Sequence, residues 1–210
     1  MAKIYYDLKN FEQAKQEFEE VKKINENYKE TEKYLKLLEG IKKGGEKGSG
    51  YSQDLINLAR QEKNFGKKMG YYQRAVEKDP LNAQILSETQ SAYQNYFEMS
   101  SAYQVAKKYK EAASILEVLL KYYPKNIEIY TKLGDVYISD KSFDKAIKIL
   151  EQGKRGEENN LELRYVLGKA YMGEKNYKAA AIEFNRVLAQ YPNYKDTPQL
   201  YRLCIEKLKK

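Results

Sequence analysis

Apolar residues recur at helical spacing along nearly the whole chain, and β-branched alternation of period two is absent, so the pattern predicts helices and no sheet. Between residues 127 and 160, Tyr130, Leu133, Val136 and Tyr137 form one apolar stripe, and Phe143, Ala146, Ile147, Ile149 and Leu150 form the next. Ser139-Asp140-Lys141-Ser142 separates them as a short turn, with Ser142 placed to cap the second helix. Pro124 and Pro192 follow the second stripe of the flanking stretches, where a helix must stop. Each stretch therefore reads as helix A, a tight turn, helix B and a short connection.

The stripes repeat. Tyr93–Asn126, Ile127–Asn160 and Leu161–Tyr194 align as three 34-residue blocks without a gap. Position 7 reads Met99, Leu133, Leu167, and position 8 reads Ser100, Gly134, Gly168. Position 11 is Tyr103, Tyr137, Tyr171, position 20 is Ala112, Ala146, Ala180, and position 24 is Leu116, Leu150, Phe184. Position 32 reads Pro124, Glu158, Pro192. The small residues at positions 8 and 20 let the paired helices approach closely. A period of this size predicts stacked hairpins, because one hairpin cannot bury its apolar face alone.

These positions resemble the signature of the tetratricopeptide repeat family. The resemblance implies an all-α fold, a right-handed α-solenoid of helical hairpins with a C-terminal capping helix. It is strong over Tyr93–Tyr194 and partial over Ser49–Asn82, where Tyr72, Ala75 and Pro80 anchor the block although Lys68 occupies its small position 20. It also covers the start, where Ala14, Phe18 and Val21 take positions 20, 24 and 27 of a repeat lacking its first six positions. That start looks cut inside a helix, which leaves open a leader, a lipid anchor or further repeats upstream. Another departure is position 4, which holds Tyr96, Tyr130 and Arg164 where the family has tryptophan.

The expected organisation is a truncated N-terminal repeat with a following helix over 1–43, a Gly-rich connector over 44–50, and a repeat domain over 51–210. The domain divides into an irregular repeat at 49–82, a long helix from about 83, the regular blocks 93–126, 127–160 and 161–194, and a cap at 195–210 with a polar outer face. Ten residues, Ala83–Ala92, exceed the period, yet Leu86, Tyr93, Tyr96, Phe97 and Tyr103 keep helical spacing across them. They predict one helix of about seven turns rather than a loop. Asn27-Tyr28-Lys29-Glu30-Thr31 also recurs as Asn193-Tyr194-Lys195-Asp196-Thr197, each leading into a lone helix.

Composition narrows the function. With no histidine, Ser-His and Cys-His catalytic arrangements are excluded. The single cysteine, Cys204, lies in an apolar-periodic stretch and predicts a buried, inert thiol. No Gly-rich phosphate loop is present, since Gly44–Gly50 lacks both a following Lys-Ser/Thr and a preceding strand. The acid pairs Glu19-Glu20 and Glu157-Glu158 read as solvated surface. No apolar run approaches a membrane span, no cofactor or metal is expected, and the compartment, cytoplasm or periplasm, stays open. The net charge of +8 is spread along the chain and reads as a solvated helical surface. With the 21 tyrosines it also leaves open single-stranded nucleic-acid binding as an alternative. The Lys-rich style of the repeats points to a bacterial source.

In the resembled family, positions 2, 5, 9 and 12 of helix A line the concave groove. Carried onto this chain, they give Gln94, Phe97, Ser101 and Gln104; Glu128, Thr131, Asp135 and Ile138; and Glu162, Tyr165, Lys169 and Met172. These positions vary between blocks while the packing positions repeat. Chaperone-binding members hold a terminal carboxylate with Lys at position 5 and Asn at position 9. Here those positions hold Phe97 and Ser101, Thr131 and Asp135, Tyr165 and Lys169, which excludes that clamp. Glu128, Asp135 and Glu162 near Phe97, Tyr165 and Met172 instead suit a peptide or helix with apolar anchors and Lys or Arg. The expectation is a non-catalytic scaffold or adaptor, with nucleic acid an unlikely partner and homo-oligomerisation a further alternative.

Overall fold

The computed structural model describes residues 11–24, 35 and 51–209, and all regular structure among them is helical. The truncated repeat's first positions, most of the helix expected before residue 43, and the 44–50 connector lie outside the described residues. The helices are α1 (Phe11–Ile24), α2 (51–61), α3 (Phe65–Lys78), α4 (Ala83–Val105), α5 (Tyr109–Tyr122), α6 (Ile127–Ser139), α7 (Phe143–Lys154), α8 (Leu161–Gly173), α9 (Tyr177–Gln190) and α10 (Thr197–Leu208). The chain forms two compact units, Met1–Gln94 and Asn95–Lys210, and their boundary falls within α4.

In the first unit, α2 and α3 bury Leu55, Ile56, Ala59, Met69, Tyr72 and Ala75. Asn64 caps α3 by accepting from the Lys67 amide. Arg60 donates to both oxygens of Glu88, at 3.1 and 2.5 Å. Lys68 stays out of the core, where Met69 takes the buried place one residue on.

The second unit is a stack in which each helix packs on the next from α5 to α10, and α6 also packs on α8. The small position 8 proves to be a steric requirement: a Cβ on Gly134 would lie 2.7 Å from Leu150, and one on Gly168 2.5 Å from Phe184. Both partners sit at position 24, so the glycine of helix A receives the large side chain of helix B. Asn126 and Asn160, at position 34, cap α6 and α8 by accepting from the Glu128 and Leu163 amides.

The A-to-B turns share one geometry. Lys107, Lys141 and Lys175 adopt φ of 59°, 59° and 60°. Around Lys141, its own amide donates to the Ile138 carbonyl and the Ser142 amide to the Tyr137 carbonyl, at 3.0 and 2.8 Å. The same pair of bonds recurs at Lys107 and Lys175. This is a Schellman closure with lysine in the left-handed position that glycine usually fills. Ser142 begins α7 without capping it: its oxygen accepts from no amide of the first turn, and its hydroxyl donates to Asp140 Oδ2 at 2.8 Å.

Position 11 staples neighbouring blocks. The Tyr137 hydroxyl donates to Glu117 at 2.5 Å and the Tyr171 hydroxyl to Glu151 at 3.0 Å, and both acids occupy position 25 of the preceding block. Cys204 is fully buried at the end of this core, and burial pushes its thiol up from the ordinary range. The expected polar outer face of the capping helix is interrupted by Leu203 and Leu208, which are 39% and 50% exposed.

Candidate functional site

Gln94 is exposed and belongs to the first unit; the other eleven groove candidates belong to the second. Phe97, Ser101 and Gln104 are half-buried on α4, and the Ser101 hydroxyl turns back to the Phe97 carbonyl. Gln104 donates to Ser139 Oγ at 3.1 Å, linking α4 to the end of α6. Thr131 is buried, its hydroxyl donating to carbonyls of its own helix at Glu128 and Ile127. Glu128 is exposed, while Ile138 and Met172 lie half-buried against the core.

The structure draws the remaining four candidates into one cluster. Lys169 reaches Asp135 at 3.3 Å and stands 5.3 Å from the centre of the Tyr165 ring. Tyr165 is only 8% exposed, and its hydroxyl donates to Asp196 Oδ1 at 2.7 Å. Glu162 accepts from the Tyr194 hydroxyl at 2.5 Å and pairs with the Lys195 ammonium. Lys195 lies over both rings, 4.8 Å from Tyr165 and 5.4 Å from Tyr194. The two rings meet edge to face, 5.9 Å apart at 72°.

Electrostatics follow from this arrangement. Burial by itself would raise the Glu162 carboxyl. Hydrogen bonds from Lys195 and Tyr194, with the charges of Lys195 and Lys169, outweigh it and hold the group below the ordinary carboxylate range. Tyr165 and Tyr194 are both pushed well above the usual phenol range, first by burial and then by the carboxylates that accept their protons. The cluster is thus a set of neutral rings and paired charges, suited to recognition by charge and shape.

Tyr194, Lys195 and Asp196 escape the groove positions because they lie in the connection after α9. Their one sequence signal is the pentapeptide pattern shared with residues 27–31. Also unforeseen is a buried ion cluster away from this face. Arg164 and Glu183, 2% and 5% exposed, join at 2.6 Å, and Glu183 also accepts from Lys154 at 3.1 Å. These charges replace the Tyr96 and Tyr130 of position 4, the Ile115 and Ile149 of position 23, and the Leu120 and Leu188 of position 28. Among the described residues, no group of histidine, cysteine or acid side chains could hold a metal, and no helix is long and apolar enough to cross a membrane.

Tetratricopeptide repeat profiles match residues 1–28, 106–159 and 162–194, which together take in more than half of the chain. No curated protein matches the sequence. Among solved structures, the first tetratricopeptide domain of human RPAP3 is 20% identical over 56% of this chain and 92% of its own, with a TM-score of 0.53. The corresponding domain of Spaghetti (RPAP3), bound to the HSP90 peptide SRMEEVD, is 19% identical over 56% and 94%, with a TM-score of 0.53. The Sgt2 domain from Aspergillus fumigatus is 16% identical over 56% and 79%, again with a TM-score of 0.53. At these identities the likeness is one of fold. Glycines seated under large position-24 side chains, turns recurring at a fixed interval and profile matches at both ends place the chain in the tetratricopeptide repeat family.

Proposed function

We propose that this protein is a non-catalytic scaffold whose A-helix face holds a segment of a partner protein. The observation that carries the reading is the contrast between faces. Packing positions repeat from block to block, whereas Asp135, Glu162, Tyr165 and Lys169 gather in one polar cluster and Glu128 stands exposed. Solved structures of this fold include one bound to an HSP90 peptide and one in complex with pHsp70, which supports a peptide-holding role in general. The partner chemistry differs, since this face lacks the Lys and Asn set that grips a terminal carboxylate. A peptide or helix with aliphatic anchors against Ile138 and Met172, and with Lys or Arg toward Glu128, fits better. Self-association through Leu203 and Leu208 is the second reading, favoured by their exposure at the end of α10, and a monomer at all concentrations in light scattering would remove it.

The test is affinity capture of partners from the source cell, repeated with Phe97→Ala, Glu128→Ala and Asp135→Ala combined. Loss of the captured partner, with an unchanged circular dichroism spectrum, is the expected result. Retention of the same partner by the folded variant would overturn the assignment to this face.

A further inference from the structure

We infer that Tyr165, Tyr194 and Glu162 form a cage for a lysine-type ammonium, and that the chain's own Lys195 occupies it as a displaceable plug. The inference deepens the groove reading and rests on it only for the origin of the incoming lysine. Two aromatic faces set edge to face, with a carboxylate beside them, are what an ammonium group needs: ring quadrupoles attract the cation and the carboxylate neutralises it. Here both rings lie within 5.4 Å of Lys195 Nζ.

The walls are fixed independently of their occupant. Tyr165 is buried and its hydroxyl is tied to Asp196 at 2.7 Å. Tyr194 is tied to Glu162 at 2.5 Å. Each hydroxyl donates to a carboxylate, which makes its ring richer in electrons and more attractive to a cation.

The occupant is held less firmly than the walls. The Lys195 side chain is 45% exposed, so water reaches much of it. Its backbone is left-handed, with φ of 47°, a conformation that L residues other than Asn or Asp seldom adopt. A lysine presented by a partner segment could take the same place once the Lys195 side chain swings out to solvent, with the hydroxyl bonds of Tyr165 to Asp196 and of Tyr194 to Glu162 kept. Lys169 also stands beside the Tyr165 ring, but its ammonium is engaged by Asp135. An unmodified or methylated lysine side chain fits this chemistry. A neutral acetylated one does not.

The experiment titrates full-length protein with Nα-acetyl-lysine methylamide, its Nε-trimethyl form and its Nε-acetyl form, following the ring protons of Tyr165 and Tyr194 by NMR. Lys195→Gln empties the cage with the backbone kept, and Lys195→Gly also relieves the left-handed strain, so at least one variant reports on the site. The expected result is affinity for the two cationic forms about tenfold higher in the variants than in the wild type, with no binding of the Nε-acetyl form. Adding Glu162→Gln should abolish the gain. Equal, weak binding by wild type and both variants, or equal response to the Nε-acetyl form, would overturn the inference. Because the probes are small molecules, this outcome is separable from partner capture: a working cage with an unchanged pull-down would sink the groove assignment alone.

Discussion

Replacing Glu183 by alanine removes the carboxylate that Arg164 and Lys154 share. Lys154 would keep Glu151 at 2.7 Å, so the loss falls mainly on Arg164. The Arg164 side chain is 3% exposed, and its remaining acid, Glu158, is 3.7 Å away and 73% exposed. Its Nε already has no hydrogen-bond partner, so few compensating contacts remain. Breaking a buried pair from one side costs about 3–5 kcal/mol, because the surviving charge is stranded away from water. With a urea m-value of about 2 kcal/mol/M, the midpoint of the circular dichroism transition should fall by about 1.5–2.5 M. The sequence supplies the compensating design. Arg164→Tyr, Glu183→Ile and Lys154→Leu restore the residue types found at these positions in the other blocks. Apolar replacement of a buried ionic set is usually neutral or favourable, so the triple variant should match the wild type or exceed it by about 1–4 kcal/mol. A Glu183→Ala midpoint within half a molar of wild type, or a triple variant no more stable than the single one, would refute the reasoning.

Lys141→Gly should raise stability by about 0.5–1 kcal/mol, read from the thermal midpoint, because it removes left-handed strain from a Schellman turn. Gly168→Ala should cost about 1–3 kcal/mol, since its Cβ would sit 2.5 Å from Phe184. Gly66→Ala, whose Cβ meets only Asn64 Oδ1 at 3.5 Å, serves as the clash-free control in the same denaturation series and should stabilise by up to about 1 kcal/mol. Stability should also decline as pH rises from 10. Tyr123 is pushed up to about 12 by burial, and Tyr171 to about 12 by burial and then by Glu151. In that window the unfolded chain loses phenolic protons that the folded chain retains, so unfolding becomes progressively favoured. Urea midpoints measured across this range beside tyrosinate absorbance check it, and a constant midpoint up to pH 12 would contradict it.

The helices and turns were legible because their determinants are local and recur at a fixed interval. Gly134 and Gly168 were legible as places of close helix approach, and the structure seats Leu150 and Phe184 against them. The long helix over the ten extra residues was legible from spacing for the same reason, and it runs from Ala83 to Val105. Ser142 shows where local reading stops. Its residue type suits a cap, but its side chain is turned toward the Asp140 carboxylate and accepts from no amide of α7. The buried ion cluster was not read from the sequence: Arg164 stood out only as a departure at position 4, and its partner Glu183 emerges from the structure.

By itself, the sequence determined the element type, the hairpin period, the small positions where paired helices approach, and the absence of histidine chemistry. Each of these depends on residues within one helix turn or one repeat of each other. Only the tertiary structure decided which charges meet. Lys169 finds Asp135 across a repeat, and Glu162 finds Lys195 in a connection that belongs to no groove position. The reason is physical: apolar burial is set by periodicity and tolerates exchange of partners, whereas an ion pair or a cation over a ring depends on the distance between particular atoms.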